Sequence, residues 1–161
     1  ICQLRRCDLI KRDGIWCFSI TADAGHLKSA AAERFVPIHN WLLMKGFPEV
    51  LPLETMNEED RIWSLLSPNR LDRYSNSVCK WFSRYKRKKG FTDTRYCFHS
   101  LRHTFINKMK QNEVPEPLIR QLVGHGEGSI TLGRYGKDYD IEKLNKYLND
   151  VHYDLEIKGM P

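Results

Sequence analysis

The stretch Phe98–Lys137, FHSLRHTFINKMKQNEVPEPLIRQLVGHGEGSITLGRYGK, decides how this chain is read. Leu101, Phe105 and Met109 recur at i, i+4 and i+8, which predicts a helix capped by Ser100 with Arg102 and His103 in its first turn. Pro115 and Pro117 stand where a second helix can begin, and Leu118, Ile119, Leu122 and Val123 give it an apolar face. Gly124 ends that helix immediately before His125, and a further short helix is expected to carry Tyr135. The span thus gathers two imidazoles (His99, His125), a guanidinium (Arg102) and a phenol (Tyr135). Those groups can hold a phosphodiester and attack it without a metal.

Upstream, the signals change from helical to extended. Residues 1–10 (ICQLRRCDLI) read as the end of a helix running into a loop, with Leu4, Leu9 and Ile10 as core anchors. Asp13-Gly14 is a turn signal, Ile15–Thr21 reads as a strand, and Arg34–Ile38 as a second one whose Pro37 places it at a strand end or an edge. Between them lies a small-residue connector bearing Lys28. Asn40–Lys45 reads as a short helix closed by Gly46, and residues 47–72, with Pro48, Pro52 and Pro68, read as irregular with one turn near 61–66. Ser75 or Asn76 opens a helix with Val78, Trp81, Phe82 and Tyr85 on one face, ending at Gly90. Downstream, Ile141, Leu144, Leu148 and Val151 mark a last amphipathic helix, which can pack on its own domain or on a neighbouring protomer. The expected fold is α+β, mostly helical, with a small antiparallel β-sheet, in one domain over residues 1–161.

The bulk properties limit the possible functions. Lys and Arg number 26 against 20 Asp and Glu, a formal charge of +6 that suits a polyanionic partner such as nucleic acid. The five cysteines are odd in number and show no C-x-x-C spacing, so neither a disulfide scaffold nor a cysteine zinc site is expected. Reduced thiols fit a cytoplasmic, nucleoid-associated setting. No apolar run approaches the roughly 20 residues of a membrane span.

Each candidate residue has a plain reading beside its chemical one. Tyr135 is one of seven tyrosines, and a phenol with a pKa near 10 needs positioning and surrounding positive charge to act as a nucleophile. Arg102, three residues after His99 at the mouth of a helix, suits bidentate phosphate contact but can equally be a surface arginine. His125 can donate to a phosphate oxygen or to a last helical carbonyl. Lys28 can reach a DNA groove and deliver a proton, or remain a solvated loop lysine. The pair His99 and His103 has metal-ligand spacing, but Ser100 stands where the metalloprotease motif needs Glu, so zinc is not expected. The run Arg84–Lys89 is a dipole-favoured helix end or a contact to DNA backbone.

Taken together, these residues resemble the tyrosine recombinases, or phage integrases. H-x-x-R-H at His99–His103, L-x-G-H at Leu122–His125 and Tyr135 ten residues on follow the family's order and spacing. LKSAAAERFVPIH (residues 27–39) is similar to the family's β-hairpin, and ICQLRRCDL to the segment after its first arginine box. The resemblance implies that Tyr135 attacks the scissile phosphate to form a 3′-phosphotyrosine, with Arg102 and His125 bracing the phosphate. It further implies Lys28 as general acid for the 5′ oxygen, and His99 as a support to phosphate and base. No metal or nucleotide cofactor is then required, because the phosphotyrosine bond retains the energy for religation. The implied partners are double-stranded DNA attachment sites and other protomers of the same recombinase.

The chain departs from the family pattern in two places. By register the first arginine is expected four residues before Ile1, and the family's DNA core-binding helical domain is not expected within residues 1–161; a truncated catalytic domain that cleaves DNA weakly or not at all is the expectation. Residues 30–33 (AAAE) are also less basic than the family's hairpin. The alternatives are relaxation of DNA by a type IB topoisomerase-like reaction, and DNA binding without turnover.

Overall fold

The computed structural model describes residues 1–27, 32–71, 74–125 and 138–153. Three strands, β1 (Leu9–Arg12), β2 (Ile15–Ile20) and β3 (Arg34–Pro37), form an antiparallel sheet in the order β1-β2-β3. Asp13 and Gly14 turn the first hairpin with φ of 51° and 76°, and Arg12 pairs with Ile15 across them. Two positive φ values in a two-residue loop match the twist of the flanking strands, which explains the Asp-Gly pair. Cys17 pairs with Pro37 at the end of β3, an edge strand, where a residue without an N–H does little harm.

Two expectations for the N-terminus need correcting. The segment leading to Leu9 is a single 3-10 turn, Arg6–Asp8, and Leu9 and Ile10 belong to a strand. The partners that make them extended, Phe18 and Cys17, lie beyond the hairpin turn and leave no trace in the local pattern. Leu4 and Leu9 are nevertheless buried core residues as expected.

The sheet separates two apolar clusters, because successive side chains of a strand point to opposite faces. Ile10, Ile15, Cys17 and Phe35 pack toward the helices. Leu9, Trp16 and Phe18 pack toward Leu4, Ile38, Ile62 and the irregular segment after residue 46. Among the described residues 47–71 there is no helix or strand; the segment is held by long-range bonds instead. Arg6 N–H donates to Asp60 O at 2.8 Å and Ile62 N–H to Leu4 O at 3.0 Å. Arg61 donates from Nη1 to the carbonyls of Gln3 and of Ala24, the latter at 2.6 Å.

Five α-helices complete the described residues: α1 (Asn40–Met44), α2 (Ser75–Lys88), α3 (Ser100–Gln111), α4 (Glu116–Val123) and α5 (Ile141–Asn149). None is long and apolar enough to cross a membrane. The expected apolar face of α4 is buried in full, around Met109 of α3 and Val114. The face expected on α3 is only partly so, since Met109 is buried and Leu101 exposed. Helix α2 departs further: Trp81 and Tyr85 stack on each other at 5.2 Å but remain 54% and 46% exposed.

Helix α5 packs on its own domain. Asp140 caps it by accepting from Lys143 N–H at 2.8 Å, and Ile141, Leu144, Leu148 and Val151 are all buried. Its end is latched by His39, whose Nδ1 accepts from Trp41 N–H at 3.0 Å. That bond leaves the imidazole proton on Nε2, which donates to Val151 O at 3.1 Å.

The two helical faces give a stability test. Leu118 is fully buried in the helical core, so Leu118→Ala is expected to lower the unfolding free energy by about 3 kcal/mol. Leu101 is 52% exposed, and Leu101→Ala is expected to cost less than about 1 kcal/mol. Urea denaturation of the two variants measures both; equal losses would contradict this packing.

Candidate active site

Arg102 and the imidazoles around it are positioned by the way α3 begins. His99 is the residue at the N-cap, with no capping bond from its own side chain, and Ser100 is the first helical residue. The expected Ser100 cap is therefore replaced by a turn: Ser100 Oγ accepts from Cys97 N–H at 3.0 Å and donates to Arg95 O at 2.9 Å. The preceding loop is tied back to α2 by Lys86, a buried lysine whose Nζ donates to Asp93 O at 2.6 Å. One turn of helix then brings the rings of His99 and His103 edge to face, with centroids 5.0 Å apart. Among the described residues no third ligand joins that pair in a metal-binding group.

Arg102, in the same helical turn, is half-buried. Its Nε is buried and has no hydrogen-bond partner among the described residues, and burial lowers its pKa. No carboxylate there lies within ion-pairing distance of it. A half-buried guanidinium with an unmet donor is unfavourable unless an anion completes it.

His125 reaches the same place from α4. Gly124 terminates that helix in the left-handed conformation (φ 67°, ψ 51°), and both Gly124 N–H and His125 N–H converge on Arg120 O, at 2.8 and 3.1 Å. The exposed His125 ring is held below its ordinary pKa of 6.5, first by partial desolvation and then by the charges of Arg102, Arg120, His103 and His99. His103, Lys110, Glu116, Arg120 and His125 also line one cleft of about 340 Å³ between α3 and α4. Its one carboxylate, Glu116, is engaged by Arg120 Nη2 at 2.8 Å.

Of the five residues expected to do the chemistry, His99 and Arg102 stand at the start of α3, from where their charges act on His125 at the end of α4, while Lys28 and Tyr135 lie outside the described residues. Gln121 does, however, bind Tyr139 reciprocally, accepting its N–H at 2.9 Å and donating to its O at 3.0 Å. A chain that leaves α4 at His125 is therefore returned to α4 at Tyr139.

One cation in this region was not singled out by the sequence. Arg34, the first residue of β3, donates from Nε to Leu122 O at 3.0 Å and from Nη1 to Ala32 O at 2.5 Å. Burial, and then the charge of Arg102, lower its pKa to about 10. In the sequence it is an arginine in a strand, indistinguishable from one that faces water.

The depressed pKa of His125 has a measurable sign. A histidine that resists protonation when folded is neutral at pH 7, and folding loses stability as pH falls through the ordinary value of 6.5. Followed by proton NMR without DNA, His125 is expected to titrate below 6.5, and to move upward when inorganic phosphate binds beside it. A His125 that titrates at or above 6.5 in phosphate-free buffer would refute this electrostatic arrangement.

The comparisons agree with the geometry. Residues 1–142 match the model of the phage integrase family, while no curated protein and no solved structure gives a match. With residues 1–142 of 161 covered, the chain belongs to the phage integrase family, a family of tyrosine recombinases.

Proposed function

We propose that the chain carries out site-specific recombination of mobile DNA, cleaving and rejoining strands through a 3′-phosphotyrosine at Tyr135. The single observation that carries the reading is Arg102, a guanidinium half-buried beside His99, His103 and His125 with a donor left unmet among the described residues. A scissile phosphate supplies the missing acceptor and the negative charge.

In this reaction the phenol oxygen of Tyr135 attacks phosphorus and the bond from phosphorus to the 5′ oxygen breaks. Charge grows on the non-bridging oxygens as attack proceeds. Arg102 stabilises it by two parallel donors and His125, neutral before binding, by one N–H. His99 supports the same phosphate. The phenolic proton passes to solvent or a nearby base, and Lys28 gives a proton to the departing 5′ oxygen. One phosphodiester has replaced another, so a 5′ hydroxyl from a second DNA can reverse the step without nucleotide hydrolysis. Double-stranded attachment sites and further protomers of the same protein are the partners this exchange needs.

A nicked suicide substrate incubated with the intact protein tests the reading. An SDS-resistant protein–DNA adduct is expected, undiminished by EDTA and absent in Tyr135→Phe. Arg102→Ala is expected to slow its formation by about 100-fold or more. Salt-sensitive binding with no adduct would instead mark a DNA-binding module. An adduct that relaxes supercoils but never exchanges strands between two marked duplexes would mark a topoisomerase.

A further inference from the structure

Arg34 has no place in the chemistry just described, yet it occupies an unusual position. Its guanidinium lies flat enough against Gly124 that a Cβ added there would meet Nη1 at 2.5 Å, Cζ at 2.7 Å and Nε at 3.0 Å. The same group donates to Leu122 O, one of the carbonyls that the end of α4 leaves without a helical partner, and to Ala32 O beside its own strand. It does so half-buried, near Arg102, and with no carboxylate in ion-pairing distance among the described residues.

Burying an arginine without a counter-ion is costly, and packing alone would be served better by an apolar strand residue. A lysine would suffice to place a cation at a helix C-terminus. What only arginine offers is a rigid fork that bonds two carbonyls, Leu122 O and Ala32 O, while it packs closely against a glycine. The element so fixed, Leu122–His125, is the one that delivers the His125 ring.

We infer that Arg34 is a positioning residue for the cleavage reaction: anchored in β3, it clamps the turn Leu122–Gly124 so that His125 is presented toward Arg102. The role rests on the proposed recombinase reading, but the clamp itself concerns only groups within the protein. Arg34 does not touch the DNA in this scheme; its effect passes through His125.

The experiment compares wild type, Arg34→Ala and Arg34→Lys in the intact protein by three readouts. These are the NMR titration of His125 without DNA, the affinity for a duplex attachment site at fixed salt, and the single-turnover rate of adduct formation on a nicked substrate. Arg34→Ala is expected to return the His125 titration toward 6.5 and slow adduct formation at least tenfold, with affinity changed less than threefold. Arg34→Lys, with one ammonium in place of a fork, is expected to recover only part of the rate. An unchanged adduct rate in Arg34→Ala would overturn the inference. So would a loss that merely tracks affinity and melting temperature while His125 titrates as before. If Arg34→Ala does not fold, Arg34→Lys carries the same three readouts, and a wild-type rate and titration in it would overturn the clamp. If wild type itself forms no adduct, the recombinase reading fails separately, and the His125 titration alone decides whether Arg34 sets that turn.

Discussion

Because the guanidinium of Arg34 occupies the space where a Cβ on residue 124 would sit, and because that residue has φ 67°, glycine is required there twice over. The constraint governs more than one turn. Arg34 begins an edge strand of the sheet, and Gly124 ends the helix that supplies four of the ten buried residues of the helical core. Where they meet, sheet and helices are fixed relative to each other by hydrogen bonds with direction as well as by apolar packing, which has none. His125 is the next residue, so the placement of one imidazole depends on how the two layers join.

Electrostatics at this junction run against folding. The charge of Arg102 acts on both Arg34 and His125, and among the described residues the one carboxylate lining the cleft of His103, Arg120 and His125, Glu116, is paired with Arg120. Lowered pKa values on Arg34, Arg102 and His125 all have the same sign, that of positive charge crowded and partly removed from water. A protein selected for stability alone would place an acid there. Leaving the charge unmet makes sense if the neutralising group arrives with the substrate, and a DNA backbone brings an anion with two free oxygens at each phosphate.

Much of this was legible in the chain, and what was not has identifiable causes. Asp13-Gly14, the prolines at the start of α4, Gly124 and the apolar period of α5 are local signals, and each marks the element expected. Residues 1–10 were misread because Leu9 and Ile10 are extended by partners beyond a turn. The aromatic face of α2 was real as a periodicity, but period says which side is apolar, not whether anything covers it; Trp81 and Tyr85 are exposed. His99, Arg102 and His125 could be grouped because their order and spacing resemble a known family. Arg34 could not, since its meaning lies in a contact with a glycine far along the chain. Lys28 and Tyr135 remain assignments from sequence.

The last helix now takes on a role the sequence left open. With Ile141 and Leu144 buried against the same cluster as Cys17 and Phe35, α5 presses on the helical face of the sheet. His39 and Asn112 hold the chain just beyond it, through Val151 O and Asp150 O at 3.1 and 2.9 Å. Pressure on that face bears on β3, where Arg34 is anchored, and hence on the turn at Gly124. An edge strand pairs with one neighbour only, so β3 relies on side-chain packing for much of its rigidity. Helix α5 therefore bears on the strand that carries Arg34 although it contributes no residue to the cleft, and its apolar stripe is spent within the domain.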